Sequence, residues 1–133
     1  LSKPTQKDSD MTRLTTKEEE VMHALWQLGR GFVKDILELL PEPRPHYNTV
    51  STAIRKLEVK GIVGHEAFGN THRYYPILSK EEYLEEVMKG TVENYFDNSF
   101  KDLVSYFAEK EKISPEELKE IIRLIENDKN EEQ

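Results

Sequence analysis

A mainly α fold with one small β-hairpin is what this 133-residue chain predicts, and three observations carry the prediction. Apolar residues recur at i, i+3, i+4 and i+7 in stretches bounded by helix start and stop signals. One pair of β-prone runs, residues 62–68 and 71–77, is split by Gly69-Asn70, a two-residue hairpin signal. Ser or Thr followed three residues later by Glu opens a helical pattern at Thr15/Glu18, Ser79/Glu82 and Ser114/Glu117, because each side chain can satisfy the other's free backbone N–H.

Residues 1–13 are polar and without period, and read as a flexible arm. The first helix opens at Leu14 or Thr15, carries Val21, Met22, Leu25, Trp26 and Leu28, and ends at Gly29 and Gly31. The second runs from about Phe32 to Leu40, turns Val33, Ile36, Leu37 and Leu40 inward, and stops at Pro41. Three prolines within residues 41–47 make a stiff, extended connection. The third helix begins near Tyr47 or Asn48 and ends at Gly61. Its narrow apolar stripe is Val50, Ala53, Ile54 and Leu57. The hairpin follows at once, with Gly69 supplying the positive φ of a type II′ turn.

A long helix starts at Ser79 and carries Tyr83, Leu84, Val87, Met88, Val92, Tyr95 and Phe96. Gly90 weakens it in the middle by roughly 1 kcal/mol relative to Ala, and Asn98-Ser99 breaks it. A further stripe of Phe100, Leu103, Val104 and Phe107 precedes the last helix, which shows Leu118, Ile121, Ile122 and Ile125 on one face. From Asn127 the polar tail is expected to fray. Three short helices with a hairpin straight after the third is the layout of a winged helix-turn-helix. The expected organisation is therefore an arm at 1–13, a winged-helix domain at 14–78, a helical dimerisation region at 79–128 and a polar tail at 129–133.

Charge is polarised along this layout. The whole chain carries a net charge of −7, yet residues 44–78 hold 5 basic and 2 acidic side chains, against 6 and 8 before them and 8 and 16 after. A basic module within an acidic chain is the distribution of a DNA-facing domain attached to something else. On the third helix, Asn48, Thr52, Arg55 and Val59 point away from the apolar stripe, with Thr49, Ser51 and Lys56 beside them and no acid on that face. Ser, Thr and Asn reach phosphates or base edges, and Arg and Lys suit guanine edges or phosphates. Asn70, Thr71, His72 and Arg73 lie at or just past the hairpin tip, where a wing would meet DNA.

Other chemistries find little support. Without cysteine there is no disulfide frame, thiolate metal site or Cys nucleophile. The four histidines show no ligand spacing, so no metal and no cofactor is expected, and His23 reads as a partly buried polar residue beside the first helix's stripe. The Glu-rich runs sit on polar helix sides or in first turns, and no phosphate loop or nucleophile elbow is present, so no enzyme is expected. No apolar run approaches a membrane span, and the expected compartment is the cytoplasm. The C-terminal stripes (Tyr83, Leu84, Val87, Tyr95, Phe96, Phe100, Leu103, Phe107, Leu118, Ile121, Ile122 and Ile125) are too rich to stay wet on three small helices. They read as a homodimer interface that spaces two recognition helices along double-stranded DNA, the alternative being that they fold back on the winged domain.

Residues 14–36, 47–76 and 79–83 resemble the penicillinase repressor (BlaI/MecI) family of bacterial transcriptional regulators. The combination is specific: an acidic start to the first helix, Asn48-Thr49-Val50-Ser51-Thr52 opening the third, and a wing that ends Tyr74-Tyr75-Pro76. The resemblance implies a cytoplasmic homodimeric repressor that binds an inverted-repeat operator, often of β-lactam-resistance genes, and blocks transcription. It places DNA contacts on Asn48, Thr49, Thr52 and Lys56, with Ser51 and Arg55 as neighbours and a wing contribution from Asn70 to Arg73. It also implies relief by a sensor-linked protease cutting within the dimerisation helices, here at Tyr106–Phe107, where Tyr stands in place of the family's Asn. The family's copper-responsive branch needs a cysteine cluster that this chain lacks. A reading from another class is a winged-helix protein–protein adaptor that never touches DNA.

Overall fold

The computed structural model describes residues 13–132, with side chains described as far as Lys129. The helices are α1 (Thr16–Leu28), α2 (Val33–Leu39) and α3 (Tyr47–Val59), then, after the hairpin of β1 (Val63–Phe68) and β2 (Thr71–Pro76), α4 (Lys80–Tyr95), α5 (Phe100–Glu109) and α6 (Pro115–Glu132). The expected mainly α class with one hairpin is what folds. Most of the expected arm lies outside the described residues.

The expected caps form. The Thr15 hydroxyl accepts the Glu18 N–H at 3.1 Å, and the Glu18 carboxylate accepts the Thr15 N–H at 2.9 Å. Ser79 with Glu82 and Ser114 with Glu117 repeat this box at the starts of α4 and α6. Asp97 and Asn98 both take left-handed φ after α4, and Ser99 caps α5 by accepting the Asp102 N–H at 3.1 Å. The last helix departs from expectation, because it continues to Glu132 and does not fray from Asn127. No Gly or Pro follows Pro115, so nothing in the chain stops it.

The first compact unit ends at Met88. Its core joins Val21, Met22 and Leu25 of α1, Ile36 of α2, and Val50, Ile54 and Leu57 of α3 to Val63 and Tyr74 of the hairpin. Strands β1 and β2 pair antiparallel with Phe68 opposite Thr71, and Gly69 takes φ 61° at the turn. Gly31, between α1 and α2, adds a bridge to β2: its N–H donates to Tyr74 O at 2.9 Å, and the Tyr74 N–H donates back at 2.8 Å. The hairpin is thereby fixed to the helices along one edge.

This unit reaches further than the predicted boundary at residue 78, into the first half of α4. The Trp26 Nε1–H donates to Leu78 O at 2.9 Å, Tyr83 stacks at a tilt 5.6 Å from Trp26, and the Tyr83 hydroxyl donates to Glu19 at 2.6 Å. Burial and the adjoining Glu19 carboxylate push the Tyr83 phenol up to about 12.

Glu18 is the buried acid of this core, and it has two duties. Besides capping α1 it accepts Lys60 Nζ on both oxygens at 3.0 Å, tying the start of α1 to the end of α3. Burial works to raise its pKa, but the hydrogen bond from the Thr15 backbone and the Lys60 ammonium outweigh it, and the group sits below its ordinary value. A carboxylate whose folded value is depressed contributes stability above its unfolded value and loses it as pH falls through the folded one. The Glu18→Gln protein should thus show a flatter loss of stability below about pH 4.5 than the parent. Urea melts between pH 2.5 and 6 check this, and parallel curves would refute it.

The second compact unit begins at Lys89. Val92 is its one fully buried side chain among the described residues, and α5 buries none. Phe100, Val104, Phe107, Ile121, Ile122, Leu124 and Ile125 remain exposed in the single chain.

Candidate nucleic-acid interface

The site is built around α3. Its stripe of Val50, Ala53, Ile54 and Leu57 is buried, which turns Asn48, Thr49, Thr52, Arg55, Lys56 and Val59 outward, with Val59 87% exposed. Among the described residues no acid stands on this outward face. Glu58 is held aside, where it meets His65 Nδ1 at 2.5 Å. The start of α3 also differs from the other long helices. His46 gives no side-chain cap and the first turn has no acid, so the N–H groups of Tyr47 and Asn48 stay open.

Two concave surfaces flank the helix. One lies toward α1 and is bordered by Thr15, Lys17, Asn48, Thr49, Thr52, Arg55, Lys56 and Val59, with the Glu18–Lys60 ion pair at its edge. The other lies between α3, the start of α2 and the hairpin, and is bordered by Lys34, Tyr47, Ser51, Arg55, Asn70, Thr71, His72 and Tyr74. All ten residues expected to meet DNA except Arg73 border one or the other. Ser51 is half-buried and engaged with Arg55.

The wing is two-faced because successive strand residues point to opposite sides. His65, His72 and Tyr74 share the face toward α3, with the two imidazoles stacked 4.0 Å apart. Arg73 points to the other face. It pairs with Glu66 at 3.1 Å and lies 4.8 Å over the Phe68 ring, and Arg30 shares the same carboxylate. The two guanidiniums, the hydrogen bond from Arg73 first among them, hold the Glu66 carboxyl below its ordinary value. His23 is exposed and edge-on to Trp26, not partly buried as its place beside the stripe suggests.

The penicillinase repressor family model matches residues 14–127. The chain belongs to the penicillinase repressor family. It is 23% identical over 119 residues to the penicillinase repressor of Bacillus licheniformis, covering 89% of this chain and 93% of that one. It is 24% identical over 119 residues to the methicillin resistance regulatory protein MecI of Mammaliicoccus sciuri, covering 89% and 97%. A solved structure of Bordetella bronchiseptica BpsR, whose DNA binding is regulated by 6-hydroxynicotinic acid, aligns over 95% of this chain and 87% of its own at a TM-score of 0.44 and 15% identity. Penicillinase repressor family members are DNA-binding regulators, not enzymes, and this chain is a transcriptional repressor of that type.

In this penicillinase repressor family chain, the residues expected at a dimer interface divide. Tyr83 is buried against Trp26 and Glu19 of its own chain, because α4 packs its first turns on α1. Leu84, Val87, Tyr95, Phe100, Phe107, Ile121, Ile122 and Ile125 are exposed, and Phe96, Leu103 and Leu118 are half-buried. Val104, Tyr106 and Leu124 join the exposed set, beyond the residues expected at the interface. Tyr106 and Phe107 sit inside α5, with the Tyr106 ring edge-to-face with both Phe96 and Phe107. Lys34 and Tyr47 border the wing-side cleft although the sequence pattern does not single them out. A helical wheel of α3 puts Tyr47 one turn before Ser51, but only the fold brings α2 alongside. Among the described residues no helix is long and apolar enough to cross a membrane, and no cluster is arranged to hold a metal ion.

Proposed function

We propose that the protein is a cytoplasmic homodimer that binds an inverted-repeat operator in double-stranded DNA and represses by occluding a promoter, as at β-lactam-resistance-type genes. The observation that carries this is the outward face of α3, uncharged or cationic throughout in a chain of net charge −7 and bordered by two open grooves. Asn48, Thr49, Thr52 and Lys56 enter the major groove, with Ser51 and Arg55 beside them and Asn70 to His72 on the flanking backbone. Arg73 contributes least, since Glu66 neutralises it on the far side of the wing.

Dimerisation is supported by what the second unit lacks. A unit of some 45 residues with a single fully buried side chain among the described residues falls well short of a self-sufficient core. A second copy supplies matching faces on α4, α5 and α6. Cleavage at Tyr106–Phe107 by a sensor-linked protease would sever the stripe of α6 from that of α4 and dissolve the pairing, which relieves repression.

Anisotropy of a labelled duplex carrying an inverted TACA/TGTA repeat, against a scrambled duplex, tests the proposal. A dimer touching roughly 6–10 phosphates should lose about 10³–10⁵-fold in affinity between 50 and 200 mM salt while still preferring the repeat. No preference for the repeat or for any duplex selected from a random pool would refute it.

A further inference from the structure

The two stripes of α3 that border its grooves differ in chemistry. Asn48, Thr49, Thr52 and Lys56 border the α1 side, whereas Tyr47, Ser51 and Arg55, spaced one turn apart, border a cleft of about 500 Å³ against the wing. Arg55 touches both grooves but is not free to choose between them. Its Nε–H donates to the Ser51 carbonyl at 3.2 Å and its Nη2–H to Ser51 Oγ at 3.0 Å. That clasp uses the Nε/Nη2 edge, one of the forks with which arginine grips a guanine, and leaves three N–H groups. It also draws the guanidinium back along the helix to Ser51, at the border of the wing-side cleft.

Lys34, exposed and without an ion pair among the described residues, brings a second cation from α2 to the same cleft, and Thr71 and His72 form the opposite wall. Among the described residues no carboxylate lines it. Two cations with the Tyr47 hydroxyl suit a phosphodiester, which takes bonds from such groups irrespective of sequence.

We infer that this cleft seats a phosphate of the DNA backbone between Lys34 and Arg55, with Ser51 as the positioning residue for Arg55, and that sequence is read by the other stripe. The inference rests on the DNA-binding reading above and divides its labour.

The full chain, the repeat duplex and the scrambled duplex provide the test. Lys34→Gln and Arg55→Gln should each lower the slope of log affinity against log salt by about 1.8, because the dimer loses one phosphate contact in each half-site. Each should weaken repeat and scrambled duplexes alike, keeping their ratio within about twofold. Ser51→Ala should weaken both duplexes and Ser51→Thr, which restores the hydroxyl, should recover them. Thr52→Ala should do the reverse of Arg55→Gln, lowering the ratio about tenfold at unchanged slope. An Arg55→Gln protein that loses the ratio and keeps the slope makes Arg55 a base reader and overturns the assignment. So does a chain indifferent to both Lys34→Gln and Arg55→Gln. If the parent protein itself fails to bind repeat or selected DNA, the DNA-binding reading falls first, and this one with it.

Discussion

Changing Arg55 and Lys56 together to Glu should weaken binding of the repeat duplex by at least about 10²–10⁴-fold, the loss from one half-site alone. A hydrogen bond to a charged group contributes roughly 1.5–3 kcal/mol, so removing two such bonds costs about 3–6 kcal/mol in each half-site. Repulsion of phosphate by the new carboxylates adds to this. Both side chains are exposed and neither belongs to the core, so melting should change by no more than about 0.5 kcal/mol. Anisotropy and a urea melt on the same preparation separate the two effects. A winged-helix adaptor would show the opposite pattern, with its partner's affinity little changed and no DNA binding to lose. Near-parental DNA affinity in the double variant would remove α3 from the interface.

The largest expected effect on stability comes from the opposite side of the same helix. Ile54 is fully buried among Met22, Leu25, Ile36 and Leu57 in the core shared by α1, α2 and α3. Truncation to Ala in such a place costs about 2–5 kcal/mol, the lost transfer energy plus the cavity left behind. For a domain whose whole stability is about 5–15 kcal/mol, that lowers Tm by about 10 °C or more. Trp26 is the single tryptophan and bonds to Leu78 across the first unit, so its fluorescence reports the transition. Val59→Ala, on the exposed face of α3, should melt with the parent. A loss below about 1 kcal/mol in Ile54→Ala would mean that the core closes over the gap.

Local chemistry makes much of this architecture legible in the sequence. Thr15, Ser79 and Ser114 each cap a helix with the Glu three residues on, Gly69 makes its turn, and Pro41 falls just past α2, because each acts on backbone within one turn of itself. The inward stripe of α3 is legible too, since its period is that of the helix. What sequence hides depends on partners far along the chain. Tyr83 belongs to the winged domain because Glu19, 64 residues away, accepts its hydroxyl. Lys60 is spent on Glu18 across 42 residues, and no local pattern separates it from Lys56, which stays free on the outward face. Arg73 and His72 are neighbours in sequence, yet the strand's alternation sends them to opposite faces of the wing, and only the docking of the hairpin decides which face meets α3. Lys34 joins the candidate site by the same kind of long-range packing.

The near absence of a core in the second unit has a consequence in mass action. If those helices finish burying their apolar faces only against another copy, folding and association are one equilibrium, and the chain's apparent stability follows its own concentration. Each tenfold dilution then removes about 1.4 kcal/mol from the paired state. A cell that slows synthesis of such a protein loses more than operator occupancy in proportion, because the unpaired chains also expose Ile121, Ile122 and Ile125 to proteases that clear half-folded protein. Repression of this kind has a threshold dose, and growth without resynthesis can cross it.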